Sequence, residues 1–295
     1  MSESTQEEIK QIDSRAINVN LFGKVMHYAG IYAVALMFLL AGIILQSLGI
    51  INNFLTTQNM MNILDAVSML GIVAVGMAFV TYSGHFADLS APTTMALTGI
   101  VAVQMLQYGF IAAIISAVIV GLIIGLINAV AIGKYKANPI IWTLAVNYVT
   151  LGVIRLVWVN KQIYPDIIAK SQRSSDLFDS IYRLRFFNKI ALPLVMLVIL
   201  VIVLNFVMRR TKFGVQLKMT GAARKAAKFS GVNTERIIGM AFILCALTAT
   251  LGGLAITSLS RVGAWYNGAG YDFKAVTAIV IGGMTLAGGR GSIIG

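Results

Sequence analysis

Long apolar runs separated by short polar stretches set the framework of this chain. Residues 29–48, 66–82, 95–106, 111–132, 140–159, 190–208 and 237–259 are predominantly apolar, and most are close to the ~20 residues that a helix needs to cross a bilayer. Between them, residues 52–65 predict a re-entrant segment. Residues 83–94, SGHFADLSAPTT, predict a polar break in which Ser90 and Pro92 start the next helix. The fourth run contains Gly121 and Gly125, four apart and so on one helical face, which permits close helix contact. The last stretch, residues 273–295, has an apolar part, 275–281, that is too short to span. Gly282, Gly283, Gly288, Gly289 and Gly291 interrupt the residues beyond it. Such a broken helix is tolerated at membrane depth only where protein or a water-filled cavity surrounds it. The expected fold class is all-α, a polytopic helical membrane protein with broken or re-entrant helices.

One polar stretch stands apart from the others. Residues 209–236, RRTKFGVQLKMTGAARKAAKFSGVNTER, carry Arg209, Arg210, Lys212, Lys218, Arg224, Lys225, Lys228 and Arg236 against a single acid, Glu235. A short loop so rich in cations belongs on the cytoplasmic side. Within it, residues 220–229 have good helix propensity and end at Ser230-Gly231, where glycine can close a helix, so a short cytoplasmic helix on the membrane surface is expected. Lys134 and Lys136 in residues 133–139 place that loop on the same side, and the two assignments agree in parity. Residues 1–28 then form a cytoplasmic tail, 29–295 the transmembrane part, and 160–189 the longest external loop, whose own cations dilute the signal.

Composition narrows the function. The chain is 58% hydrophobic and 12% charged, which excludes a soluble core. Its formal charge of +12 sits largely in loops beside spans, where orientation and anionic lipid explain it more cheaply than nucleic acid. The single cysteine, Cys245, lies in an apolar run and reads as a packing residue; His27 and His85 share no metal-ligand spacing. Polar, acidic residues at the start argue against a cleavable signal peptide. No phosphate loop of the form G-x-x-x-x-G-K-[ST] occurs.

Four stretches in order carry a resemblance. GMTLAGGRGSIIG (283–295), GAARKAAKFSGVN (221–233), ADLSAPTTMALTG (87–99) and GLINAVAIGKYKANPIIWTL (125–144) resemble motifs of the membrane permease subunits of bacterial ABC importers for monosaccharides, the ribose-type permeases. The likeness covers most of the chain from about residue 53. It implies a transport subunit that is not an enzyme, binds no cofactor, and works with separate ATPase subunits that use ATP and Mg. It also implies a second permease subunit, an extracytoplasmic solute-binding protein and a bacterial inner-membrane location. The family's coupling loop reads G-x-N-x-E-A-A-R-x-S-G-I-N, so Gly221, Arg224, Lys225, Ala226, Ala227, Lys228 and Gly231 are the implied ATPase-coupling residues. This chain differs in carrying Arg224-Lys225 where the family has an acid, Pro92 where it has a glycine, and in stopping at Gly295 where members usually continue with further apolar helices.

Candidate pathway residues come from polar groups in or beside the spans. Asp88 is either a functional ionisable group at membrane depth or a cap for the helix starting near Ser90. Asn128, Thr143 and Asn147 offer neutral hydrogen bonds to a polyol, or bond helix to helix. Trp142 and Tyr82 either stack on a sugar or pack. Asp65 is expected at an interface, and Arg155 to snorkel at the outer end. An ion-coupled secondary transporter is the rival from another class, but it needs a cluster of intramembrane acids, for which Asp88 is the one candidate. Permeases for nucleosides or branched-chain amino acids are the nearer rivals.

Overall fold

The computed structural model describes residues 33, 35–158, 161–186 and 190–294. Expectations for residues 1–28 and for the start of the first span lie outside them. The chain divides into two units, Met1–Met60 and Met61–Gly295. The first holds an apolar helix, α1 (Ala35–Ser47). Gly42 of this helix lies against the Phe54 ring, where a side chain has no room.

The helix α2 (Thr57–Tyr82) begins in that unit and runs without interruption into the second. The re-entrant segment expected over residues 52–65 is therefore absent, and its latter half is the start of a span. Asp65 is expected at an interface. Instead it stays in the helix at 2% exposure, because Arg185 Nη2 sits 2.9 Å from its carboxylate and the Tyr182 hydroxyl donates to it at 3.1 Å.

The second unit is built around α11 (Thr234–Ser260), which packs against α3 (Ala91–Met105), α4 (Phe110–Asn128), α7 (Gln172–Arg183) and α9 (Lys212–Ala222). Small residues set these contacts. Gly121 and Gly125 of α4 meet α11 at Thr250, Ala246 and Ile243, and Gly76 of α2 meets Cys245 and Thr248, as close approach of membrane helices requires. In the 18-residue windows that mark α2 and α11 as spans, 67% and 72% of positions are buried, against 17% in α5 (Pro139–Trp158) and in α8 (Leu192–Arg210). The first pair is core, and the second leaves most of its surface exposed. Among the described residues, five helical stretches are long and apolar enough to cross a membrane: α2, α5, α8, α11, and α4 with its extension to Lys134.

That extension is a π-helical segment, Ala129–Lys134, which apolar periodicity does not reveal. Residues 161–186, the described part of the expected loop, are structured. They contain α6 (Pro165–Ile168), the amphipathic α7, whose Phe178 and Ile181 are buried, and β1 (Arg185–Phe186), which pairs antiparallel with β2 (Ile190–Ala191). The single helix expected over residues 220–229 is two helices, α9 and α10 (Arg224–Phe229), broken at Ala223. As expected, Gly231 closes α10 in the left-handed region, at φ +80°. Finally, α12 (Tyr271–Ile281) stops at Gly282, and the glycines beyond it form a folded loop.

Candidate functional site: a polar break joined to a basic helical hairpin

The site has two parts, both at the end of the bundle where α8 terminates in Arg209 and Arg210. The first is a buried polar cluster at the break between α2 and α3. With 15 residues, α3 is about 22 Å long, shorter than the ~30 Å hydrocarbon core. Asp88 is 1% exposed and Ser90, Asn128 and Thr143 are fully buried. The Asp88 carboxylate accepts from the Ser90 backbone N–H at 2.9 Å and from its hydroxyl at 2.5 Å. Asn128 Nδ2 donates to Ser90 Oγ at 2.9 Å and to Asp88 Oδ2 at 3.3 Å. From α5, Thr143 Oγ1 accepts the Leu89 N–H at 3.1 Å. Four candidate pathway residues from three elements thus meet; the Asp88 carboxylate holds Ser90 ahead of α3 and bonds no N–H of its first turn. Asn147 does not join them through any of these bonds. Three buried polar atoms on α4 and α5, Asn128 Oδ1, Trp142 Nε1 and Asn147 Oδ1, have no partner among the described residues.

The second part is the α9–α10 hairpin. Arg224, Lys225, Ala226, Lys228 and Gly231 are exposed, whereas Ala227 is buried at 1% and belongs to the core. Only one alanine of the expected pair therefore faces outward. Phe229, at the tip of α10, is 92% exposed. It was missed as a candidate, although a lone aromatic in a basic helix was the available signal. Gly221 does not face outward either. A side chain there would strike the Tyr82 carbonyl and meet Gly289 N at 2.7 Å.

That contact joins the two parts. Gly289 N donates to the Tyr82 carbonyl at 3.1 Å, and Gly288 packs on Gly84, where a Cβ would lie 2.5 Å from its Cα. The loop after α12 is thus wedged between the last turn of α2 and the end of α9, with Gly282 and Gly283 turning the chain into it and Gly291 folding back on Met284. Beside this junction, His85 Nδ1 lies 2.7 Å from Ser83 Oγ and its ring packs edge-on to Phe242. Burial first, then the Arg224 guanidinium, lower its pKa from 6.5 to about 4, so His85 is neutral near pH 7.

At the opposite end of α11, Arg261 takes a left-handed conformation, at φ +53°. Its Nη2 bridges Asp166 and Asp179, at 3.0 and 2.7 Å. Arg155 stacks over Trp265 at 4.9 Å.

Residues 59–295 match the family described as the branched-chain amino acid transport system / permease component. The chain belongs to this family. The permease is 32% identical over 275 residues to the ribose import permease protein RbsC of Bacillus subtilis, covering 92% of this chain and 83% of the relative. It is 30% identical over 283 residues to the fructose import permease protein FrcC of Rhizobium meliloti, covering 93% and 77%. It is 28% identical over 245 residues to the L-arabinose ABC transporter permease protein AraH of Azospirillum brasilense, covering 82% and 69%. No solved structure matches it. The permease is therefore a multi-pass helical membrane protein of the transport-permease class.

Proposed function

We propose that this permease is the membrane subunit of an ABC importer for a monosaccharide in the bacterial inner membrane, and that it moves its solute by alternating access. The observation that carries this reading is the glycine junction. An exposed basic hairpin is joined backbone to backbone, through Gly221, Tyr82 and Gly289, to the break that bears the buried polar cluster. A push on the hairpin is then delivered to that cluster as a rigid-body shift, because packed backbones with no intervening side chains leave little slack.

In this reading α10 seats on a separate ATPase subunit, with Arg224, Lys225 and Lys228 facing acidic groups and Phe229 filling an apolar recess. ATP and Mg are held by that subunit; this chain supplies no catalytic residue and binds no cofactor. The hairpin end is cytoplasmic, as its cation excess favours, and the Arg261 end receives an extracytoplasmic binding protein. Two permease subunits, alike or different, enclose the pathway. Asp88, Ser90, Asn128 and Thr143 line the permease's share of it, and Asn147 lies farther along. The Asp88 carboxylate, the amides and the hydroxyls together suit the hydroxyl groups of a polyol. An amino-acid substrate would need a cation for its carboxylate, and the cluster offers none.

Tagged permease from native membranes, extracted in mild detergent, should bring down an ATPase subunit. Lys225→Glu with Gly231→Trp should release it while the chain still inserts, and the intact complex in proteoliposomes should take up a pentose or hexose when ATP is supplied on the hairpin side. Loss of the ATPase from the wild-type complex, or uptake driven by an ion gradient alone, would overturn the reading.

A further inference from the structure

Beside the contact of the π-helical segment with α11 lies a groove of about 560 Å³ that the polar cluster and the glycine junction do not use. Its wall is apolar, from Val130, Met240 and Ile243, and its mouth carries Lys134, Arg236 and Glu235. Two observations set its depth. The spans that form it end at Lys134 and begin at Thr234, so the mouth lies where hydrocarbon gives way to headgroups. Tyr135, which stacks with Lys134 at 5.7 Å, is 71% exposed there, as interfacial aromatics are. The charge balance is cationic. Glu235 is drawn towards Lys136, at 3.9 Å, while neither Lys134 nor Arg236 is paired with an acid among the described residues. Val130 and Met240 are each 47% exposed, an apolar surface open along the groove.

We propose that this groove holds an anionic phospholipid, its phosphate on Lys134 and Arg236 and an acyl chain along Val130, Met240 and Ile243. The combination selects the ligand. A free inorganic anion would use the cations and leave the apolar wall wet, a zwitterionic lipid would bring its own headgroup cation beside Lys134 and Arg236, and an anionic lipid uses wall and cations without that repulsion. The site lies where the chain enters α11, immediately after Gly231 closes α10. Occupancy therefore ties the π segment to α11 beside the basic hairpin. The inference does not depend on the transported solute or on the ATPase.

The test is native mass spectrometry of the full-length chain in mild detergent, titrated with phosphatidylglycerol or with phosphatidylcholine of the same acyl chains. Wild type should retain phosphatidylglycerol at least about tenfold better, and millimolar inorganic phosphate should not displace it. Lys134→Gln with Arg236→Gln should erase the preference, and Met240→Trp, which fills the groove, should lower retention of both lipids. Should the double variant fail to fold, the wild-type preference and the Met240→Trp result still decide. Equal retention of the two lipids by wild type overturns the proposal, as does a preference that survives the double change. Displacement by phosphate would overturn it in favour of a free-anion site. Disulfide cross-linking between two chains at Val130→Cys, in a Cys245→Ala background in membranes, would overturn it by showing that a second copy covers the groove.

Discussion

Asp88 and Asn128 hold one another at the break between α2 and α3, and the consequences of removing either are unequal. Asp88→Ala strips the acceptor from the Ser90 N–H and the Ser90 hydroxyl and leaves the Asn128 amide only Ser90 Oγ, and each buried group left unsatisfied costs about 1–3 kcal/mol. Asn128→Ala removes a donor and leaves the Ser90 contacts of Asp88 intact, so it should cost less. Thermal unfolding in detergent should rank Asp88→Ala below Asn128→Ala. If Asn128→Ala nonetheless abolishes uptake in a complex that still assembles, the Asn128 amide belongs to the pathway and not only to the packing. At the far end, Arg185→Ala should destabilise the chain by about 3–5 kcal/mol, because it leaves Asp65 charged and buried. The added change Asp65→Asn should recover much of that loss. His85 gives a pH signature. Its pKa is lower in the fold, about 4, than the ordinary 6.5, so the unfolded chain binds the extra proton first. The stability that neutral His85 contributes is present above about pH 6.5 and is lost as pH falls towards 4. The drop in Tm between pH 6.5 and 4 should therefore be smaller in His85→Gln than in wild type.

Among the elements, the hairpin and the glycine loop carry the sharpest test. Gly221→Ala places a methyl group against the Tyr82 carbonyl, a clash with backbone that no rotamer change relieves. Gly152→Ala in α5, where an added methyl group meets nothing within 4 Å, is the control. In the assembled complex, Gly221→Ala should uncouple ATP hydrolysis from uptake or prevent assembly, and Gly152→Ala should do neither. Long apolar runs made most spans legible in the sequence, and the motifs placed the break, the hairpin and the terminal glycines. The features that stayed hidden were set by contacts between distant segments. Residues 52–65 read as re-entrant and Asp65 as interfacial, whereas Asp65 is buried against Arg185, 120 residues away. Gly221 looked like a surface residue of the hairpin because Tyr82 and Gly289, which it touches, are remote in the chain. The π segment has no apolar signature, since its extra residue per turn alters register and not composition.

On the scale of the whole molecule, α11 reaches both functional ends. It starts at Asn233, whose side-chain oxygen accepts the Arg236 N–H at 3.1 Å, two residues after Gly231 closes the basic helix. It finishes at Arg261, clasped by Asp166 of α6 and Asp179 of α7. Replacing Arg261 with alanine should loosen α6 and α7 without disturbing the hairpin, and hydrogen exchange should show faster labelling in residues 165–183 but not in residues 212–229. With 27 residues, α11 is about 40 Å long. Held as a stiff lever, a tilt of about 5° at one end carries the other through about 3.5 Å, roughly the diameter of a water molecule. A clasp of two carboxylates on one guanidinium is short-ranged enough to break over that distance. A tilt of that size would carry the state of one end of α11 to the other, and the acidic pair Asp166 and Asp179 would register it.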